Sequence, residues 1–176
     1  MTEFSLDYFK MGYIILYKRT PGFIGNQIYR EQVRRGFDKE DAEYVHVEIS
    51  GAGKYAVRIN PPKAMIINLL NYYKGRYVRV YTYIEYDLYK DKTKEAVAYF
   101  SATMCNRKYD IKGVLRFIFP FIKQNTKKPF CSEGCAWAIQ KVFPKALHFK
   151  KPHNCMPADF TDPDQFTKVW EGQIPG

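Results

Sequence analysis

The sequence predicts an α+β chain in which a small antiparallel sheet packs against helices. Three observations predict it. Residues 44–49 and 55–60 alternate apolar and polar side chains with period two on either side of a glycine-containing turn, as a hairpin does. Residues 76–86 alternate again. Residues 131–142 instead carry Cys131, Cys135, Ala138, Ile139 and Val142 at helical spacing, with Pro144 to stop the helix. The 176 residues, 46 % apolar and 17 % aromatic, suit one domain over residues 1–176 with a core from about 11 to 170.

Taken in order, residues 1–10 are a lead-in and residues 12–18 a buried strand. Thr20, Pro21 and Gly22 make a turn. Residues 23–35 form a helix with apolar side chains at 24, 28 and 33, ended by Gly36, and residues 38–41 an acidic loop. In the hairpin, a three-residue loop at 51–53 sets 49 against 55, 47 against 57 and 45 against 59. That register brings Arg58 opposite His46, with Asn60 diagonal to it and Glu48 two residues along its own strand. Tyr44, His46 and Glu48 share the polar face. Pro61 and Pro62 break the strand. Residues 64–73 are expected to be a short helix, residues 91–105 a helix, and residues 109–120 a turn leading into a short helix. The chain from 145 on is expected to be loop.

The formal net charge is +10. The basic residues are spread along the chain, with only short clusters at Arg34–Arg35, Lys127–Lys128 and Lys150–Lys151. This reads as a solvated basic surface, with no specific nucleic-acid partner expected. No stretch approaches the roughly 18 apolar residues of a membrane span, and the N-terminus lacks the basic start and apolar run of a secretory signal. The four cysteines show no disulfide framework. Together these features predict a cytoplasmic protein.

Cys131 draws attention for its place. Pro129 suits a helix start, so Cys131 falls in or just before the first turn, where the macrodipole and free N–H groups favour a thiolate. A cysteine so placed, with a histidine on another element, is a candidate nucleophile. The competing reading is a buried cysteine on an apolar stripe. His46, on the polar face of its hairpin, is either the partner or a surface histidine. Cys131, Cys135, His148 and His153 also match the spacing of a zinc finger. Here the cysteines lie on the helix, and Pro144 and Pro152 separate the histidines from it, the reverse of that fold. No metal and no cofactor are expected.

The order of these parts resembles the circularly permuted papain-like proteins of the YiiX/YaeF type, relatives of the NlpC-type cell-wall peptidases and of lecithin retinol acyltransferase-like enzymes. The resemblance runs from Gly12 to Trp170. It is carried by Gly12-Tyr13-Ile14-Ile15-Leu16 (where the family commonly has an acid at the second position), His46-Val47, Tyr109-Asp110-Ile111-Lys112-Gly113, Phe130-Cys131-Ser132-Glu133 and the Pro157-Ala158-Asp159-Phe160 tail with Phe166. It implies a permuted papain-like (NlpC-type) fold with a nucleophile at a helix N-terminus. It also implies a thiol-dependent hydrolase cleaving a peptide, isopeptide or N-acyl amide, with a substrate of cell-wall or lipid origin. Cys131 would be the nucleophile, His46 the general base, and N–H groups at the helix start the oxyanion donors. The family often has an acid orienting the histidine. In the expected register that place falls to Arg58, which cannot accept an imidazole N–H. Asn60 is the expected third member, with Glu48 as the other candidate. The alternatives are a lipid acyltransferase or phospholipase on the same fold, or a non-catalytic binding module.

Overall fold

One six-stranded antiparallel sheet organises the chain. In chain order its strands are β1 (Ile14–Lys18), β2 (Tyr44–Ala52), β3 (Tyr55–Asn60), β4 (Lys63–Asn68), β5 (Tyr77–Tyr83) and β6 (Phe166–Gln173). They lie side by side as β4-β3-β2-β1-β5-β6 in the computed structural model, which describes residues 3–116 and 129–176. The helices are α1 (Phe23–Arg34), α2 (Lys39–Ala42), α3 (Leu69–Tyr72), α4 (Tyr86–Met104), α5 (Ile111–Arg116) and α6 (Cys131–Val142).

Period-two alternation divides the sheet into two faces, and both are covered. Ile14, Leu16, Val47, Ile49, Val57 and Ile59 pack beneath α4 and α6, against Val97, Phe100, Cys135 and Ile139. Their neighbours Ile15, Tyr17, Ala56, Val78 and Val80 face the other way, against Phe9, Leu69, Tyr73 and Trp170. A sheet covered on both faces has no solvent side. The polar residues of β2 are therefore drawn inward, and each needs a partner.

The expected hairpin register is corrected here. The pairs are Ile49↔Val57, Ser50↔Ala56 and Ala52↔Tyr55, with a bulge between Ser50 and Ala52. β2 runs on through Gly51 to Ala52, and the turn is taken by Gly53 and Lys54. The pairing has moved by two residues from the expected one. A shift of two keeps every side chain on its face but changes every neighbour. Arg58 now stands across from Glu48 rather than His46. A second bulge, at Val45 where β2 meets the end of β1, turns Tyr44 onto the helix-covered face, away from His46 and Glu48.

α6 begins at Cys131 and ends at Val142, as its apolar spacing and Pro144 predict. Gly134 sets how closely it approaches the sheet: a Cβ there would collide with Ile59 Cδ1 and stand 3.1 Å from Phe100 Cζ. The start of the helix is tied down by the Ser132 hydroxyl, which donates to the Cys155 carbonyl at 2.7 Å. Gly113 is needed for a similar reason, since a Cβ there would lie 2.9 Å from Phe130 Cδ1.

Other expectations change. Residues 63–68 are a strand, and only Leu69–Tyr72 is helical. The Asp38 side chain caps α2 where a loop was expected. The tail beyond 145 contains short 3-10 turns and then β6, an edge strand. The expected helix beyond Arg116 and the Lys127–Lys128 cluster lie outside the described residues. Among the described residues, no helix is long and apolar enough to cross a membrane.

Candidate active site

The N-terminus of α6 meets β2 where Cys131 meets His46. Phe130, the residue before the helix, is extended and provides no side-chain cap. The first-turn N–H groups are thus left to other acceptors. The Cys131 sulfur takes N–H bonds from Val47 of β2 and Ser132 of its own helix, and is hydrogen-bonded to His46. His46 Nε2 lies 2.9 Å from Glu48 Oε1. Nδ1 is therefore the ring nitrogen left for the sulfur.

Glu48 is fully buried, and three groups besides His46 hold it. Tyr17 donates to Oε2 at 3.0 Å and Tyr73 to Oε1 at 2.5 Å. The Arg58 guanidinium stands 3.9 Å away, itself donating to the Tyr73 hydroxyl at 3.2 Å and lying over the Tyr72 ring. A buried carboxylate is costly unless paired and hydrogen-bonded, and this one is both. Burial, followed by the Glu48 charge, pushes the Tyr17 and Tyr73 hydroxyls well above their usual pKa, so both remain donors. Tyr17 and His46 are cross-strand partners, with rings 5.4 Å apart.

The electrostatics set Cys131 apart from the other cysteines. Burial raises its pKa, but the His46 charge, its hydrogen bond and the two N–H donors outweigh burial and lower it from the usual thiol value. Burial lowers the His46 pKa, yet the Cys131 thiolate and then Glu48 reverse that and hold it at about 9. The two shifts agree on one species, a thiolate–imidazolium pair. Burial pushes Cys135, one turn along, well up, and pushes Cys155 up to about 12. Neither shares this activation.

Of the three expected site residues, the structure brings Cys131 and His46 together and gives the orienting position to Glu48. Asn60, at the end of β3, borders the cavity in front of the sulfur, and the partner of His46 Nε2 is Glu48. The two-residue register shift takes Arg58 off the imidazole and onto Glu48, while Glu48 orients His46 for a reason independent of register: residues i and i+2 of β2 share a face. Tyr109 is a site residue that sequence reasoning placed only in a turn. Its hydroxyl is hydrogen-bonded to both the side chain and the backbone N–H of Cys131. The available signal was the general one that a buried tyrosine hydroxyl seeks a partner.

The residues of the finger-like spacing are not gathered into one cluster. Cys131 is engaged with His46, and His148 Nε2 lies 2.6 Å from Asp162 on the surface. Among the described residues, no group of three or more histidine, cysteine or acidic side chains could hold a metal ion. A cavity of about 490 Å³ opens in front of Cys131, bordered by His46, Asn60, Tyr109, Arg76 and the segment from Thr20 to Gly25. No family model matches this chain, and neither the curated proteins nor the solved structures include a significant match.

Proposed function

We propose that the protein is a cysteine hydrolase of the permuted papain-like type that cleaves an amide through an acyl-enzyme on Cys131. The observation that carries this reading is the Cys131–His46–Glu48 chain of contacts at the start of α6. A helix-terminal thiol with a lowered pKa, an imidazole held on its other nitrogen and a buried carboxylate behind it are the parts nucleophilic acyl transfer needs. The order of histidine before cysteine along the chain, and the sheet-against-helix arrangement, support the resemblance to the NlpC-related family.

In the reaction, the Cys131 thiolate attacks the carbonyl carbon and an S–C bond forms. The Cys131 N–H and the Tyr109 hydroxyl donate to the oxyanion that develops. The imidazolium of His46 gives its proton to the leaving nitrogen as the C–N bond breaks, and an amine departs. His46, now neutral, takes a proton from water, and the hydroxide attacks the thioester. The acid leaves and the thiolate–imidazolium pair returns. Glu48 keeps the imidazole oriented and stabilises its charge throughout. A binding module would gain nothing from this activation of one thiol among four.

The test is the rate of Cys131 alkylation by iodoacetamide against pH, in the native chain and in His46→Ala. The expected result is an apparent pKa well below about 8.5, the free-thiol value, and a rise in that pKa when His46 is removed. A Cys131 that stays inert until the chain unfolds would remove the catalytic reading.

A further inference from the structure

The cavity in front of Cys131 carries a second feature that the acyl-transfer chemistry does not use. Pro21, Gly22, Phe23 and Ile24 are four consecutive exposed residues along its edge. Phe23 is 66 % and Ile24 44 % exposed, although α1 packs its inner face through Ile28 and Gln32. Neither side chain contributes to the core clusters, so burial does not explain them. They form an apolar shelf continuous with Ile28 and Val45 beside the sulfur.

Arg76 borders the same cavity. One of its Nη groups donates to the Lys18 carbonyl at 2.8 Å, which anchors the guanidinium, and no carboxylate pairs with it among the described residues. No acidic side chain borders the cavity among those residues either. The first turn of α1, without a side-chain cap at Gly22, lines the same space, and its partial positive charge adds to that of Arg76.

Resting on the thiol reading above, we propose that this cavity selects an amphipathic anionic acyl donor: an apolar acyl group laid on the Phe23–Ile24 shelf, with a carboxylate on the leaving group held by Arg76. A guanidinium anchored on one side presents its remaining N–H groups in the geometry that a carboxylate accepts. An apolar chain on the shelf removes Phe23 and Ile24 from water. N-acyl amino acids and acylated peptides ending in a free carboxylate have this chemistry.

Matched esters test the proposal. 4-Octanoyloxybenzoate, its methyl ester and 4-acetoxybenzoate differ only in the leaving-group charge or in acyl length. Each transfers its acyl group to the Cys131 sulfur and releases the hydroxybenzoate, which is read by absorbance. Rates are divided by those with a small free thiol to remove intrinsic reactivity. The anionic octanoyl ester should acylate Cys131 about tenfold faster than its methyl ester, as a charge-assisted contact is expected to give. Arg76→Gln should abolish that preference. The preference for octanoyl over acetyl should amount to about twofold per methylene for a half-covered chain, and should fall in the Phe23→Ser, Ile24→Ser double variant. Equal normalised rates for the charged and neutral esters, or a charge preference that survives Arg76→Gln, would overturn the proposal while leaving the thiol mechanism in place. A Cys131 inert to every ester and to iodoacetamide would overturn both.

Discussion

His46 and Glu48, two residues apart on one strand, point to the same side of the sheet and are joined at 2.9 Å between Nε2 and Oε1. The strand itself supplies this contact, because residues i and i+2 share a face. Tyr17 and Tyr73 then fix the carboxylate from β1 and from the segment after α3.

Glu48→Gln tests whether the carboxylate acts through its charge. The amide is nearly the same shape and keeps one acceptor oxygen for one tyrosine, while the other tyrosine hydroxyl can turn to accept from its NH2, so the fold should hold. It no longer stabilises an imidazolium, and its NH2 group can force the wrong tautomer. Turnover should fall by about 10²- to 10⁴-fold, the range of a positioned general acid–base, with KM little changed. The His46 pKa, followed by NMR, should drop below its value of about 9 in the native chain, since Glu48 is one of the groups raising it. An unchanged His46 pKa would show that Glu48 is only a structural buried acid.

The pH dependence follows from the signs of the two shifts. Cys131 is lowered and His46 is raised to about 9. The thiolate–imidazolium pair, the species the proposed reaction needs, exists above the first and below the second. Its turnover should therefore rise with pH through the lowered thiol pKa, stay level through neutrality, and fall as His46 loses its proton near 9. Folding linkage has the same form. The raised His46 pKa contributes stability that is full below its unfolded value near 6.5 and lost as pH rises through about 9. The lowered Cys131 pKa contributes stability that is full above roughly 8.5 and lost as pH falls through its folded value. Between about 6.5 and 8.5 the folded and unfolded chains bind the same number of protons on this pair, and the terms offset. Denaturant unfolding of the native chain and of a Cys131→Ala, His46→Ala variant across pH 5–10 should thus differ by a constant in that window and converge outside it. A difference that changes steadily across the window would show that the groups are not paired.

The parts of the site were legible to different degrees. Cys131 could be found because helix periodicity and Pro144 locate α6, and a helix start is where a thiolate is favoured. His46 could be found because alternation assigns it a face. Alternation fixes only parity, however, and the shift of two residues caused by the bulge near Gly51 leaves parity untouched while exchanging His46 for Glu48 as the neighbour of Arg58. With Arg58 expected opposite His46, where it cannot accept an imidazole N–H, the orienting place passes to Asn60; the contact within one strand, from His46 to Glu48, is the one that forms. Tyr17, Tyr73 and Tyr109 come from three separate elements that only the folded chain brings together. β6 was missed because Thr167, Lys168 and Glu171 make the sequence of an edge strand resemble a polar loop.

Gly134 connects the fold to the chemistry. It lies in the interior of α6, where glycine costs about 1 kcal/mol relative to alanine, so its presence needs a reason. The reason is Ile59, whose Cδ1 occupies the place a Cβ would take. Gly134→Ala should gain that helix term but incur overpacking of about 1–3 kcal/mol, giving a net loss of stability. Gly134→Val should cost more and push α6 away from the sheet, which would draw Cys131 from His46 and Val47. The apparent pKa of Cys131 alkylation should then rise toward that of a free thiol. Combining Gly134→Ala with Ile59→Ala makes room for the added methyl, so the double variant should recover the low pKa and be more stable than the sum of the two single changes predicts. Strict additivity of the two changes would mean that Gly134 and Ile59 do not set the distance between α6 and the sheet.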